Sequence, residues 1–118
     1  MHGLRMYAYP ADGPLLGSER DATELIGLAR GHQASFVTVP VERFGDDFFQ
    51  LKTGAAGVFI QKFVTYGVRI AIIGDIADYL RNSSALRDFV YEANRGKHVW
   101  FLESHTELKK RLQSELSL

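Results

Sequence analysis

The spacing of apolar residues switches between two and about three and a half along the whole chain, and this alternation most constrains the fold. "LRMYAY" (residues 4–9) alternates as a half-buried strand does. In "SERDATELIGLARGH", Ala22, Leu25, Ile26 and Ala29 share one helical face, Ser18 and Asp21 form a capping box, and Gly31 is placed as the stop. "SFVTVPV" (35–41) is β-branched and aromatic, with Pro40 near its end, where a strand tolerates it. A helix from about Gly54 to Tyr66 follows. "VRIAIIGD" (68–75) is a continuous apolar run of the kind buried on both faces. "SSALRDFVYEANRG" is a helix with Ala85, Leu86, Phe89, Val90 and Ala93 inward and Gly96 at its end. "HVWFLES" is a last strand. "SHTELKKRLQSEL" is a last helix, capped by Ser104 with Glu107 and lined by Leu108, Leu112 and Leu116.

The order is therefore βα four times over. That predicts an α/β fold: four βα units forming a mostly parallel sheet, helices packed on it, and right-handed crossovers. A chain of 118 residues with no linker or repeat predicts a single domain over 1–118. The stretch "YPADGPLLGS" (9–18) reads as loop.

Composition removes several classes of function. Basic and acidic residues cancel, fourteen against fourteen, so no electrostatic footprint for nucleic acid or an anionic membrane is expected. With no cysteine, disulfides, thiol nucleophiles and thiolate metal sites are excluded. "MHGLRMYAYPADG" lacks the apolar core of a signal peptide, and no run reaches the ~20 apolar residues of a membrane span. A soluble, cytoplasmic protein is expected, with no membrane partner. His2, His32, His98 and His105 form no ligand-spaced pair, and His32 and His98 at element boundaries read as surface residues. No cofactor is implied.

"LKTGAAGVFIQKFVTYG" (51–67) is glycine-punctuated and nearly uncharged. It is not a Walker loop, since Lys52 and Thr53 precede the glycines. It is not a dinucleotide fingerprint, since Gly54 and Gly57 supply only Gly-x-x-Gly at a distance from the strand. Its "KTG" has no Ser-x-x-Lys partner, as penicillin-recognising enzymes require. On a helix, Ala55, Ala56, Phe59, Ile60, Phe63, Val64 and Tyr66 form the core face. Gly54, Gly57, Val58, Gln61 and Thr65 form the opposite stripe, with Lys62 at its edge. Two readings stand: the stripe packs under a neighbouring loop, or it docks a partner or a second copy of the chain. Thr53 is placed as the N-cap, its hydroxyl accepting from the amide of Ala56 or Gly57, and a phosphate there would meet the positive end of the helix.

Two further constellations carry chemistry. Arg87, Tyr91 and Arg95 lie one above another as a candidate anion ridge, with Asp88 and Glu92 alongside to neutralise it. At the carboxyl ends of the strands, where parallel sheets bind ligands, Glu42, Asp75 and Glu103 offer three carboxylates suited to a hard cation. Ser104 there also has a capping role, and Asp75 can cap the next segment.

The chain resembles the bacterial domain of unknown function 4180. The resemblance rests on Phe48 and Phe49, Thr53-Gly54, Ala56-Gly57, Gln61 to Phe63, Tyr66, Gly74-Asp75, Asp88-Phe89, Glu92, Asn94 and Gly96, and covers nearly the whole chain. It implies no activity. At the level of fold the chain is similar to STAS domains of anti-sigma-factor antagonists, in which a phosphorylatable serine or threonine caps the corresponding helix and the helix face binds a switch kinase. Thr53 matches that place, while Leu51 and Lys52 stand where an acidic residue usually precedes the phosphosite. The resemblance implies a non-catalytic regulatory or protein-interaction module. The competing expectation is a small-ligand or metal-binding protein, or an enzyme, working at the strand ends.

Overall fold

A computed structural model describes residues 5–116, with the backbone alone at Leu116. It contains β1 (Met6–Ala8), α1 (Glu19–Gly31), β2 (Phe36–Pro40), α2 (Ala55–Tyr66), β3 (Arg69–Ile73), α3 (Ala77–Arg81), α4 (Ser84–Arg95), β4 (Val99–Leu102) and α5 (His105–Leu116). Three 3-10 turns, Val41–Arg43, Asp46–Phe49 and Leu51–Thr53, join β2 to α2. Leu4, His2 and the side chain of Leu116 lie outside the described residues.

All four strands are parallel and stand in the order β1-β2-β3-β4. Each new strand is added on the same side of the last. Crossovers of a single hand then place every connecting helix on one face of the sheet. The core shows this arrangement. Val37, Val39, Ile70, Ile72, Val99 and Phe101 meet Leu25 and Ile26 of α1, Phe59 and Phe63 of α2 and Leu86 and Val90 of α4 in one buried cluster. The alternate strand residues, Phe36, Ala71, Ile73 and Trp100, meet Leu108 and Leu112 of α5 on the other face. The period of two in the strands is thus divided between two unequal layers.

Several local expectations are borne out. Asp21 N–H donates to Ser18 Oγ at 3.0 Å and Ser18 N–H returns a bond to Asp21 Oδ2 at 3.1 Å, which closes the capping box. Of the second box expected at Ser104 and Glu107, one half is present: Glu107 N–H donates to Ser104 Oγ at 3.2 Å. Pro40 is the last residue of β2, and Gly96 caps α4. Ile70, Ala71, Ile72 and Ile73 are buried, as a strand sandwiched between layers requires.

Other expectations are corrected. Gly31 does not stop α1: it is the last helical residue, His32 is the cap, and the positive φ of 59° falls on Gln33. Gly54 is not helical. It sits at φ 77°, a left-handed conformation open to glycine at little cost, and α2 starts one residue later. Val64 and Tyr66 are exposed rather than in the core, because α2 meets the sheet along a stripe only as wide as Ala56, Phe59 and Phe63. Ala85 is likewise exposed. The short α3 has no buried residue and so no apolar period to reveal it.

Candidate functional site

Connections at the two ends of the sheet differ in length. At the amino ends of the strands the chain turns over residues 32–35, 67–68 and 96–98. At the carboxyl ends it takes residues 9–18, 41–54 and 74–83, and only 103–104 is short. The carboxyl-end connections are thus the longer ones, and two of them carry structure of their own, the three 3-10 turns and α3.

Residues 41–54 are held from beneath by phenylalanines. Phe44 stacks on Phe48 at 4.2 Å between centroids, and both meet Phe59 of α2 edge-on at 5.4 and 5.5 Å. Such pairs add roughly 0.5–1.5 kcal/mol each beyond their burial. Phe49 stacks on Tyr79 of α3 at 4.4 Å, and the Tyr79 hydroxyl donates to Asp46 Oδ1 at 2.5 Å. The connection after β2 is thereby tied to the connection after β3. Gly74, at φ 146°, lets these two connections touch: a Cβ there would come within 2.8 Å of Val41 Cβ.

Between them lies a cleft of about 670 Å³. Its floor is apolar, from Phe49, Leu51 and Ala85, and its walls carry Asp46, Lys52 and Asn82 among others. The hydrogen bond to Asp46 raises the Tyr79 phenol above its ordinary value of 10.0, burial and the carboxylate charge adding to it. A raised value in the folded protein means stability that is complete below pH 10.0 and lost as pH climbs through the folded-state value. Because the bond is open to solvent, which screens it, Tyr79→Phe is expected to cost only about 0.5 kcal/mol at neutral pH. Urea titrations of both proteins check this: the gap between them closes in strongly alkaline buffer.

Thr53 is not the N-cap of α2. It ends the third 3-10 turn, and its hydroxyl faces the carbonyls of Asp47 and Gln50 at 2.9 and 2.8 Å. It accepts from Ala55 N–H at 3.2 Å, not from Ala56 or Gly57. The left-handed Gly54 inserts one residue between threonine and helix, which shifts the capping pattern outward.

Gly54, Gly57, Val58, Gln61 and Thr65 are all exposed, Val58 by 46%. The stripe does not pack under a loop of its own chain. Gln61 donates to Thr65 Oγ1 at 3.3 Å along it, and Lys62 at its edge pairs with Glu19 of α1 at 3.2 Å. Val64 and Tyr66 extend the apolar surface towards the end of the helix.

The ridge on α4 is occupied by its own neighbours. Arg87 donates to the Leu80 carbonyl at 2.6 Å, closing α3, and Arg95 bonds Glu92 at 3.4 Å while its guanidinium lies over Tyr91. At the strand ends, Asp75 Oδ1 accepts from Ala77 N–H at 2.8 Å and so starts α3. Asp75 and Glu103 line one small cavity of about 180 Å³, which Glu42 does not reach. No group of three histidines or carboxylates suited to a metal occurs among the described residues. His98 is half-buried rather than on the surface: its Nε2 bridges the Phe63 and Val68 carbonyls, both at 3.1 Å. His32 is exposed and stacks on Tyr7.

Two residues that organise this end of the molecule have roles that neither periodicity nor capping patterns reveal, although Asn94 is among the residues of the family resemblance. Arg43 is 3% exposed, with Nη1 on the Pro10 carbonyl at 2.7 Å, Nε and Nη2 on the Pro14 carbonyl at 3.2 and 3.0 Å, and its guanidinium over Tyr9. Asn94 uses its side-chain amide as a surrogate strand. Oδ1 accepts from Phe101 N–H at 2.7 Å and Nδ2 donates to Phe101 O at 3.1 Å, on the outer edge of β4.

Compared with known proteins, residues 1–112 match the family model described as Domain of unknown function (DUF4180), and the chain belongs to that family. No curated protein and no solved structure matches it. No helix among the described residues is long and apolar enough to cross a membrane.

Proposed function

We propose that this DUF4180 member is a non-catalytic, STAS-like regulatory or protein-interaction module of the bacterial cytoplasm that works through the exposed face of α2. The observation that carries the reading is the exposure of Gly54, Gly57, Val58, Gln61 and Thr65 as one uncharged stripe. Small residues leave room for a partner backbone to approach closely. The apolar centre at Val58, beside the Lys62–Glu19 pair, has the layout of an interface core with a polar rim. Thr53 supplies the regulatory element. Its hydroxyl is bound to two carbonyls just before the helix, and a phosphate would exchange those bonds for repulsion and loosen the turn that presents α2.

Val58→Glu tests the reading, because it places a charge in the stripe without touching the core. Its melting temperature is expected to stay within about 2 °C of the parent, as for an ordinary surface change. Native mass spectrometry of protein taken gently from its own host is expected to show a complex, either with a partner or as a homodimer, that Val58→Glu loses. A complex that survives the substitution, or a parent protein recovered bare, overturns it. A mass increase of one phosphate on Thr53 is the expected sign of regulation.

A further inference from the structure

We infer that the cleft between the β2–α2 connection and α3 is a binding site for a small zwitterion of the free amino-acid type. This goes beyond the α2 face and uses different residues. The argument begins with charge. Asp46 and Lys52 both line the cleft, with opposite signs, yet they form no ion pair with each other. Asp78, the other carboxylate on the wall, is already neutralised by Arg81. Among the described residues, Asp46 and Lys52 are therefore the two charges of the cleft without an ion-pair partner. Tyr79 occupies Asp46 Oδ1, which fixes the carboxylate and leaves Oδ2 for a ligand ammonium. A ligand carboxylate then completes Lys52, and one small molecule satisfies both ends at once.

The rest of the cleft agrees with that polarity. Asn82 donates Nδ2–H to the Asp78 carbonyl at 2.9 Å, leaving its Oδ1 as an acceptor. Phe49, Leu51 and Ala85 offer an apolar floor for a side chain. A volume of about 670 Å³ falls within the range of small-molecule sites. The two connections that build it are both long and come from the carboxyl end of the sheet. With every strand added on one side, the sheet has no switch point where a ligand crevice would open between strands. A ligand site at this end must instead lie between connections, as this cleft does. The Tyr79–Asp46 bond and the Phe49–Tyr79 stack hold both walls in register before any ligand arrives.

The experiment is amide chemical-shift mapping of the intact protein, titrated with each free amino acid in turn. L-Leucine amide, N-acetyl-L-leucine and glucose serve as single-charge and neutral controls. At least one free amino acid is expected to produce saturable shifts confined to residues 46–53 and 78–85, below about 10 mM. The controls are expected to bind at least about tenfold more weakly. Lys52→Gln and Asp46→Asn, the second keeping an acceptor for Tyr79, are each expected to weaken binding by about tenfold, the order of one charge-assisted bond. The inference is overturned by the absence of saturable shifts with every amino acid, by controls that bind equally well, or by Lys52→Gln binding as the parent does. Because both substitutions are of exposed side chains, loss of the fold does not confuse the result.

Discussion

Arg43→Met is expected to unfold this protein more readily than any surface change, by about 3 kcal/mol, or about 10 °C in melting temperature. The side chain is 3% exposed and has no carboxylate partner among the described residues; it is held by the Pro10 and Pro14 carbonyls and the face of Tyr9. Hydrogen bonds from a charged donor contribute more than neutral ones, and three are lost together. Methionine fills much of the volume but leaves both carbonyls without donors. Arg43→Lys is expected to recover less than half the loss, since a single ammonium cannot span two carbonyls as the guanidinium fork does. Residues 9–16 are expected to become the first site of protease cleavage in either variant. Equilibrium urea unfolding and limited proteolysis measure the two effects. Stability equal to the parent would mean that the Tyr9–Thr38 and Leu16–Arg43 backbone bonds and the packing of Tyr9 and Leu16 hold the loop without the guanidinium.

Asn94→Ala is expected to cost about 2–4 kcal/mol, the penalty for leaving two buried backbone groups without partners. The amide meets both polar groups of Phe101, so no smaller residue can replace it. Asn94→Asp retains the acceptor for Phe101 N–H but sets a carboxylate oxygen against the Phe101 carbonyl, and is expected to destabilise by a comparable amount. Losing the surrogate strand also frees the outer edge of β4, and unpaired edges recruit other chains. Aggregation on heating is therefore expected to rise in both variants, measurable by light scattering. If Asn94→Ala unfolds at the parent's denaturant midpoint, water has taken over both bonds and the edge needs no protection. Arg111, whose Nη2 donates to the Asn94 carbonyl at 2.8 Å, joins α5 to the same point. The effect should thus reach both layers of the sheet.

The parts legible in the sequence were those with a strong local period or a local cap. The Ser18–Asp21 box, the buried run of β3, the terminal Pro40 and the capping Gly96 all depend on neighbours within a few residues, and each is found as expected. Whether the α2 stripe packs under a loop or faces outward was open in the sequence, because small uncharged residues suit either, and the structure leaves it exposed. Thr53 shows where such reading fails. Its type and position suit an N-cap, but the choice between capping and its actual bonds was made by Gly54 turning left-handed. Arg87 and Arg95 show a second failure: helical spacing brings them to one ridge, and contacts at Leu80 and Glu92 then occupy them.

Hydrophobic periodicity by itself determined that this chain alternates four strands with helices in a mostly parallel sheet, because each element must bury a face of known repeat. Tertiary structure alone decided that the strands stand in chain order, that α1, α2 and α4 share one face, and that α5 covers the other. It also decided that Arg43 would be buried, that Tyr79 would find Asp46, and that Lys52 would face a cleft without an ion-pair partner among the described residues. These contacts join residues 29 to 33 positions apart, such as Arg43 to Pro10 and Pro14, and Tyr79 to Asp46. No periodic signal spans that separation. A charged side chain reads as solvated until the fold encloses it, and only the meeting of two connections at the carboxyl end of the sheet does so.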